Sequence, residues 1–210
     1  LSTTKRGKKM NRHPFRAICA VAASAYALLA VCGCAARPEE ALNQALEALN
    51  AQQAGQFRIL NLSEDGESLS VAVEYAFENG APYFTHQGWD AEGVQSEYQY
   101  QNGKLILPEG ELPETALDDT TQYRTLSEIA GVDLTPLQKG EIQAITCEPG
   151  ENGSRVYTVE MKQTDVTEQA PYASVWGAQY RRYVVDSAGH VARVDVGSDG
   201  PYTMAVVFAP

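Results

Sequence analysis

Two periods of apolar residues run along this chain. Leu42, Ala45, Leu46 and Leu49 fall at i, i+3, i+4 and i+7, the spacing that lines one face of a helix. Pro38 suits a first helical turn, and Glu39 and Glu40 suit its positive end. A helix is therefore expected from Pro38 to Gln53, stopped by Gly55. Beyond it the period falls to two. Phe57 to Leu62 is apolar, and Asp65-Gly66 is a turn signal. Leu69, Val71, Val73, Tyr75 and Phe77 then share one strand face, with Ser70, Ala72, Glu74 and Ala76 on the other. Asn79-Gly80 turns the chain into Pro82 to Trp89. Val94 to Gln101 follows, and Asn102-Gly103 leads into Lys104 to Leu107. Turns this short join antiparallel neighbours, because parallel strands need longer crossovers.

From Pro108 to Lys139 the pattern changes. Pro108, Pro113 and Pro136, with Glu109, Glu111, Glu114, Asp118 and Asp119, mark a long loop. Inside it Thr125-Leu126-Ser127-Glu128 has the form of a capping box. It opens a short helix carrying Leu126, Ile129 and Ala130, ended by Gly131. Val132, Leu134 and Leu137 keep the segment apolar. A long loop with residues of the buried type is a lid, a plug or a domain link, and a plug or lid on the sheet's concave face is the reading favoured here. A second strand series follows: Ile142 to Cys147, Arg155 to Lys162, Gln179 to Asp186, His190 to Val196 and Tyr202 to Phe208. Glu151-Asn152-Gly153, Ser187-Ala188-Gly189 and Ser198-Asp199-Gly200 separate members of this series. Sequential hairpins pair with their neighbours. The sum is an α+β fold with eight or nine strands and two helices. Its largely antiparallel sheet is strongly curved and half-barrel-like, because strands twist. An N-terminal helix and a helix-bearing loop lie over the concave face.

Composition adds compartment rather than chemistry. The chain has 210 residues and a formal net charge of −11. That length gives one sizeable core, and that charge makes a nucleic-acid footprint unfavourable. The charge is unevenly placed. All 27 acids lie at Glu39 or later, and six of the 16 Lys and Arg precede Cys34. Ten basic residues against 27 acids leave the part after Cys34 at −17. A basic head, an uncharged run from Ala17 to Ala36 and an acidic body are the order of an exported protein. Met10 is a candidate natural start, giving the compact basic head Met10-Asn11-Arg12-His13-Pro14-Phe15-Arg16.

The run ends Leu28-Leu29-Ala30-Val31-Cys32-Gly33-Cys34. Here the chain resembles a bacterial lipoprotein precursor, whose lipobox is an aliphatic residue, small residues and then a cysteine. Val31-Cys32-Gly33-Cys34 puts a small Gly before the cysteine, whereas Leu29-Ala30-Val31-Cys32 puts a bulky Val there. Cys34 is the preferred lipidated residue, with Cys32 the alternative. The resemblance implies a cleaved signal over residues 1–33, a diacylglyceryl group on the thiol, a tether over residues 34–37 and one α+β domain over residues 38–210. Twenty uncharged residues also just span a bilayer, so an uncleaved anchor is the rival reading. The run is Ala-rich and weakly greasy, which favours a signal.

With Cys19 and Cys32 removed and Cys34 lipidated, Cys147 alone remains. No internal disulfide or cysteine metal site is then expected. Cys147 reads as a small strand hydrophobe. His190 reads as a turn residue and His86 as a strand residue at the sheet surface. The chain contains no Gly-x-Ser-x-Gly, His-Glu-x-x-His, phosphate loop or Gly-x-Gly-x-x-Gly. Asp118-Asp119 reads as solvated charge. Arg181 and Arg182 alternate onto opposite faces, where ion pairs within the sheet would use them. Tyr and Trp concentrate in strands (Tyr75, Tyr98, Tyr100, Tyr157, Tyr183 and Trp176 among them), suiting half-buried positions or a ligand groove. No catalytic residue, metal ligand or cofactor emerges.

The order of elements over residues 38–210 resembles the LolA-like and LppX/LprG-like lipoprotein fold, a half-barrel whose concave side is plugged by helices. That resemblance implies lipidated or amphiphilic cargo in the hollow and transfers no binding residue. The expectation is a non-enzymatic, extracytoplasmic lipoprotein held at the bacterial cell membrane by its lipid. Its expected partner is a hydrophobic or amphiphilic ligand or a lipidated protein. A protein-interaction or envelope-assembly module without a cavity is the alternative. A hydrolase of envelope polymers has the least support.

Overall fold

The computed structural model describes residues 37–210, apart from 91, 94, 108–109, 112–122, 163–178, 198–200 and 210. The expected signal, both candidate lipidated cysteines, Asp118-Asp119, Trp176 and the Ser198-Asp199-Gly200 turn lie outside the described residues.

Helix α1 spans Pro38–Asn50 with Pro38 in its first turn. Leu42, Ala45, Leu46 and Leu49 are all buried, and each leucine contributes roughly 1.5–3 kcal/mol by leaving water. The helix ends three residues earlier than the apolar stripe predicts. Ala51 caps it, and by Gln53 the chain has joined the sheet, its carbonyl accepting from Phe77 N at 2.7 Å. Gly55 is therefore not the stop but a strand residue beneath the Tyr75 ring. A Cβ there would lie 2.8 Å from Tyr75 Oη.

A first meander contains β1 (Ala54–Ser63), β2 (Gly66–Glu78), β3 (Ala81–Trp89), β4 (Gln95–Gln101), β5 (Lys104–Leu107) and the two-residue β6 (Gly110–Glu111). After α2 (Leu126–Ala130) come β7 (Ile142–Pro149), β8 (Arg155–Met161), β9 (Tyr180–Val185), β10 (Val191–Gly197) and β11 (Met204–Phe208). The eleven strands make one sheet in the order β6-β5-β4-β3-β2-β1-β11-β10-β9-β8-β7. Every pairing is antiparallel. The two meanders meet where β1 pairs with β11 and Phe57 faces Phe208. The sheet is curved and unclosed, with β6 and β7 at its edges. It exceeds the expected eight or nine strands: all ten strand-like runs of the sequence pair, and Gly110–Glu111 adds an eleventh.

Turn chemistry sets the first meander's register. Asn79 and Gly80 have φ of 52° and 81°, and Asn102 and Gly103 have 53° and 77°. Two consecutive left-handed residues make the tight hairpin that matches strand twist, and Asn-Gly reaches it at least cost. One irregularity alters the expected faces. Ile59 pairs with Val71 but Leu60 pairs with Leu69, leaving Ser70 without an opposite residue. This bulge interrupts the period of two. Leu69 therefore leaves the face shared by Val71, Val73 and Tyr75, and it is 40% exposed.

The face of the sheet turned toward α1 is called the inner face. Helix α1 packs across β7 and β10 there. Of the predicted long loop, the described part begins at Tyr123. Thr125 and Glu128 form the reciprocal capping box of α2, and Gly131 ends it at φ 65°. Leu126, Ile129, Ala130, Val132, Leu134 and Leu137 join the same buried cluster as α1 and the sheet. Asn43 of α1 donates to Leu137 O at 2.9 Å and accepts from Leu137 N at 2.7 Å. Asn50 donates to Leu134 O at 2.8 Å. These two amides satisfy backbone groups that no secondary structure pairs.

A half-covered aromatic face

The inner face differs along its width. Over β8 to β10 it is sealed: Leu46, Leu134, Val159, Tyr183 and Val194 are all fully buried, while Ile142, Ile145 and Cys147 of the edge strand β7 are only partly buried. The one charged group at its centre is paired. Arg181 meets Asp133 Oδ2 at 3.1 Å. Burial works against the guanidinium, but Tyr183 and Asp133 outweigh it and hold Arg181 raised. Burial also pushes the Tyr183 hydroxyl upward against the pull of Arg181.

Across β1 to β4 the same face is built of rings. Phe57 meets Phe208 and Tyr75 at centroid distances of 5.9 and 6.0 Å. Phe84 stacks on Tyr100 at 5.1 Å, and Tyr123 stands edge-on to both. Offset stacks and edge contacts are the favourable ring geometries. Burial raises the Tyr75 and Tyr100 hydroxyls above their ordinary range, so both stay protonated at neutral pH.

Beyond Phe84, toward the β2 bulge, cover from the described residues thins. Ile59, Val71, Tyr98 and Met204 are only partly buried, although all pack against the core. His86 lies among them, opposite Val73 on one side and Tyr98 on the other. Its ring stacks on Tyr98 at 4.3 Å. Gly88, two residues on, makes the space: a Cβ there would sit 3.1 Å from His86 Cε1. Burial lowers the His86 pKa, so the imidazole is neutral at pH 7. Its Nδ1 is buried without a hydrogen-bond partner among the described residues. This strip offers a ligand apolar and aromatic surface with one neutral, polarisable nitrogen heterocycle.

The outer face is charged. Asp195 is fully buried yet receives Arg182 Nε at 2.6 Å and Arg193 Nε at 2.5 Å. Arg193 also holds Glu67 at 2.7 Å, and Arg182 lies over the Tyr202 ring at 4.9 Å. A trough of about 530 Å³ lies beside this network, over β11, β1, β2 and β3.

The residues singled out in the sequence divide accordingly. Arg181 and Arg182 do take opposite faces, and each pairs within the fold. His86 is a strand residue, as expected, and only part-buried; alternation places it on the inner face with Phe84. The signal lay in the sequence, since Phe84 and His86 share a face. The missing part was Gly88, which gives the ring its place. His190 sits in an exposed turn 3.6 Å from Asp186, as the sequence predicts. Cys147 is half-buried on β7 against the core. Among the described residues no cluster of His, Cys, Asp and Glu could hold a metal ion. No described helix is long and apolar enough to cross a membrane.

No protein-family model matches the chain, and no curated protein matches it by sequence. Among solved structures it is similar to the Mycobacterium tuberculosis lipoprotein LppX, at 11% identity and a TM-score of 0.49 over 81% of this chain and 92% of that one. It is also similar to a LolA superfamily protein of Nitrosomonas europaea, at 10% identity and a TM-score of 0.32 over 83% and 93%.

Proposed function

We propose that this chain is an extracytoplasmic lipoprotein, non-enzymatic and tethered through Cys34. On this reading its inner face carries the hydrophobic part of an amphiphilic ligand. The observation that supports ligand binding is the half-covered strip of Ile59, Val71, His86, Tyr98 and Met204, which continues a sealed core without being sealed itself. An apolar surface with a few polar atoms is the usual make-up of a small-molecule site. Tethering rests on the basic head, the uncharged run and the Val31-Cys32-Gly33-Cys34 box. Cys32 is the alternative attachment point.

Two experiments test the two parts. Metabolic labelling with a fatty-acid probe should mark the wild-type chain and spare the Cys32→Ser, Cys34→Ser double variant. Equal labelling of both would overturn the tether. Solvent extraction of protein purified from its host, followed by mass spectrometry, should release an acyl-bearing molecule in stoichiometric amount. Extracts holding none, from protein that also binds no added amphiphile, would overturn the ligand.

A further inference from the structure

We propose a second binding site, on the outer face of the sheet, that takes a small amphiphilic carboxylate through Arg58. It is independent of the inner-face reading, because the sheet itself separates the two. The outer-face trough measures about 530 Å³ and is lined by Arg58, Glu74, Thr85, Gln87, Ala72 and Val207 among others. That volume lies within the range of small-molecule sites. Register places these side chains together: Arg58 faces Ala72 and Val207, Ala72 faces Gln87, and Glu74 faces Thr85.

The state of Arg58 sets it apart. Of the ten Lys and Arg after Cys34, eight engage a partner. Arg58 and Lys139 engage none among the described residues, and of the two Arg58 lines this trough. Arg37, Arg181, Arg182 and Arg193 each pair with an acid, whereas Arg58 pairs with none among the described residues. Glu74, the acid lining the trough, is engaged by another lining residue, its Oε1 accepting from Gln56 Nε2 at 2.9 Å. The trough therefore presents a planar five-donor fork, amide and hydroxyl groups from Gln87 and Thr85, and a floor of Ala72 and Val207. A guanidinium fork matches a carboxylate with two parallel hydrogen bonds, and the floor suits a short alkyl stem. The acidic body disfavours a doubly charged ligand more than a singly charged one. Its distant charges are screened within about 8 Å at physiological ionic strength, whereas Arg58 acts at contact.

The test is a titration of the ¹⁵N-labelled full chain with hexanoate, and separately with hexanol and inorganic phosphate, followed by amide shifts. Hexanoate should give saturable shifts centred on Arg58, Ala72, Thr85 and Gln87, with hexanol and phosphate much weaker. The exposed substitution Arg58→Gln should weaken hexanoate about tenfold or more, as expected for losing a charge-assisted hydrogen bond. Unchanged hexanoate binding by Arg58→Gln, absence of saturation, or phosphate binding as well as hexanoate would each overturn the proposal. Shifts confined to Val71, His86 and Tyr98 would overturn it too, while leaving the inner-face reading intact.

Discussion

The two halves of the inner face share one sheet and one period of two, yet only one is finished. Over β8 to β10, α1 and the segment from Leu126 to Leu137 close the surface, and even Arg181 has its acid. Over β1 to β4 the cover is Tyr123 on Phe84 and Tyr100, and beyond that Val71, His86 and Tyr98 are part-exposed. The difference lies in the second layer rather than in the strands. Phe57, Val73, Tyr75, Phe84 and Tyr100 of the open half are buried as well, so the contrast is confined to the strip of Ile59, Val71, Tyr98 and Met204, which is only partly buried. Part-exposed apolar and aromatic surface of this kind is what the proposed ligand would cover.

Deleting side chains in the sealed half should cost most. Leu46→Ala removes a fully buried side chain, and we expect a loss of roughly 2–5 kcal/mol in denaturant unfolding. A loss below that of Val71→Ala would invert the contrast. Next comes the clasp between the layers. Asn43→Ala strands both backbone groups of Leu137 and should cost about 1–3 kcal/mol. It should also speed exchange of the Leu137 amide before global unfolding, and an unaltered exchange rate would contradict the clasp. In the open half, Val71→Ala should cost only about 1 kcal/mol or less, because the side chain is already part-exposed. Its main effect should be weaker binding of an added amphiphile.

The smallest effect is a pH dependence. His86 has a folded pKa below its ordinary value of 6.5, by burial. The unfolded chain therefore binds more protons than the folded one as pH falls through about 6.5, and stability must drop there. Above that pH the imidazole is neutral in both states and contributes no slope. Thermal melts between pH 7.5 and about 5 should show a wild-type decline that is shallower in His86→Phe. Parallel declines would mean His86 is not the group.

Much of this was legible from the residues alone. The α1 stripe, the Asn-Gly hairpins and the Thr125–Glu128 capping box are local signals, read from a few neighbours, and the structure forms all three. The opposite faces of Arg181 and Arg182 followed from alternation. What was not legible depended on partners distant in sequence. The pairing of β1 with β11 joins residues some 150 positions apart. The bulge at Ser70, which turns Leu69 outward, is fixed by β1 and leaves no mark in the run Leu69 to Phe77. Gly55 read as a helix stop because glycine usually marks one; its actual role is set by Tyr75 on the neighbouring strand. The outer trough was invisible for the same reason, since Arg58, Ala72, Gln87 and Val207 belong to four strands.

The contrast between the halves is tested most directly by methyl-resolved NMR of the full chain during titration with a neutral single-chain amphiphile such as a monoacylglycerol. The account predicts saturable shifts at Ile59, Val71 and Met204, with Leu46, Leu134 and Val194 unmoved. Equal movement in both sets, or no saturable shift at Val71, would contradict it.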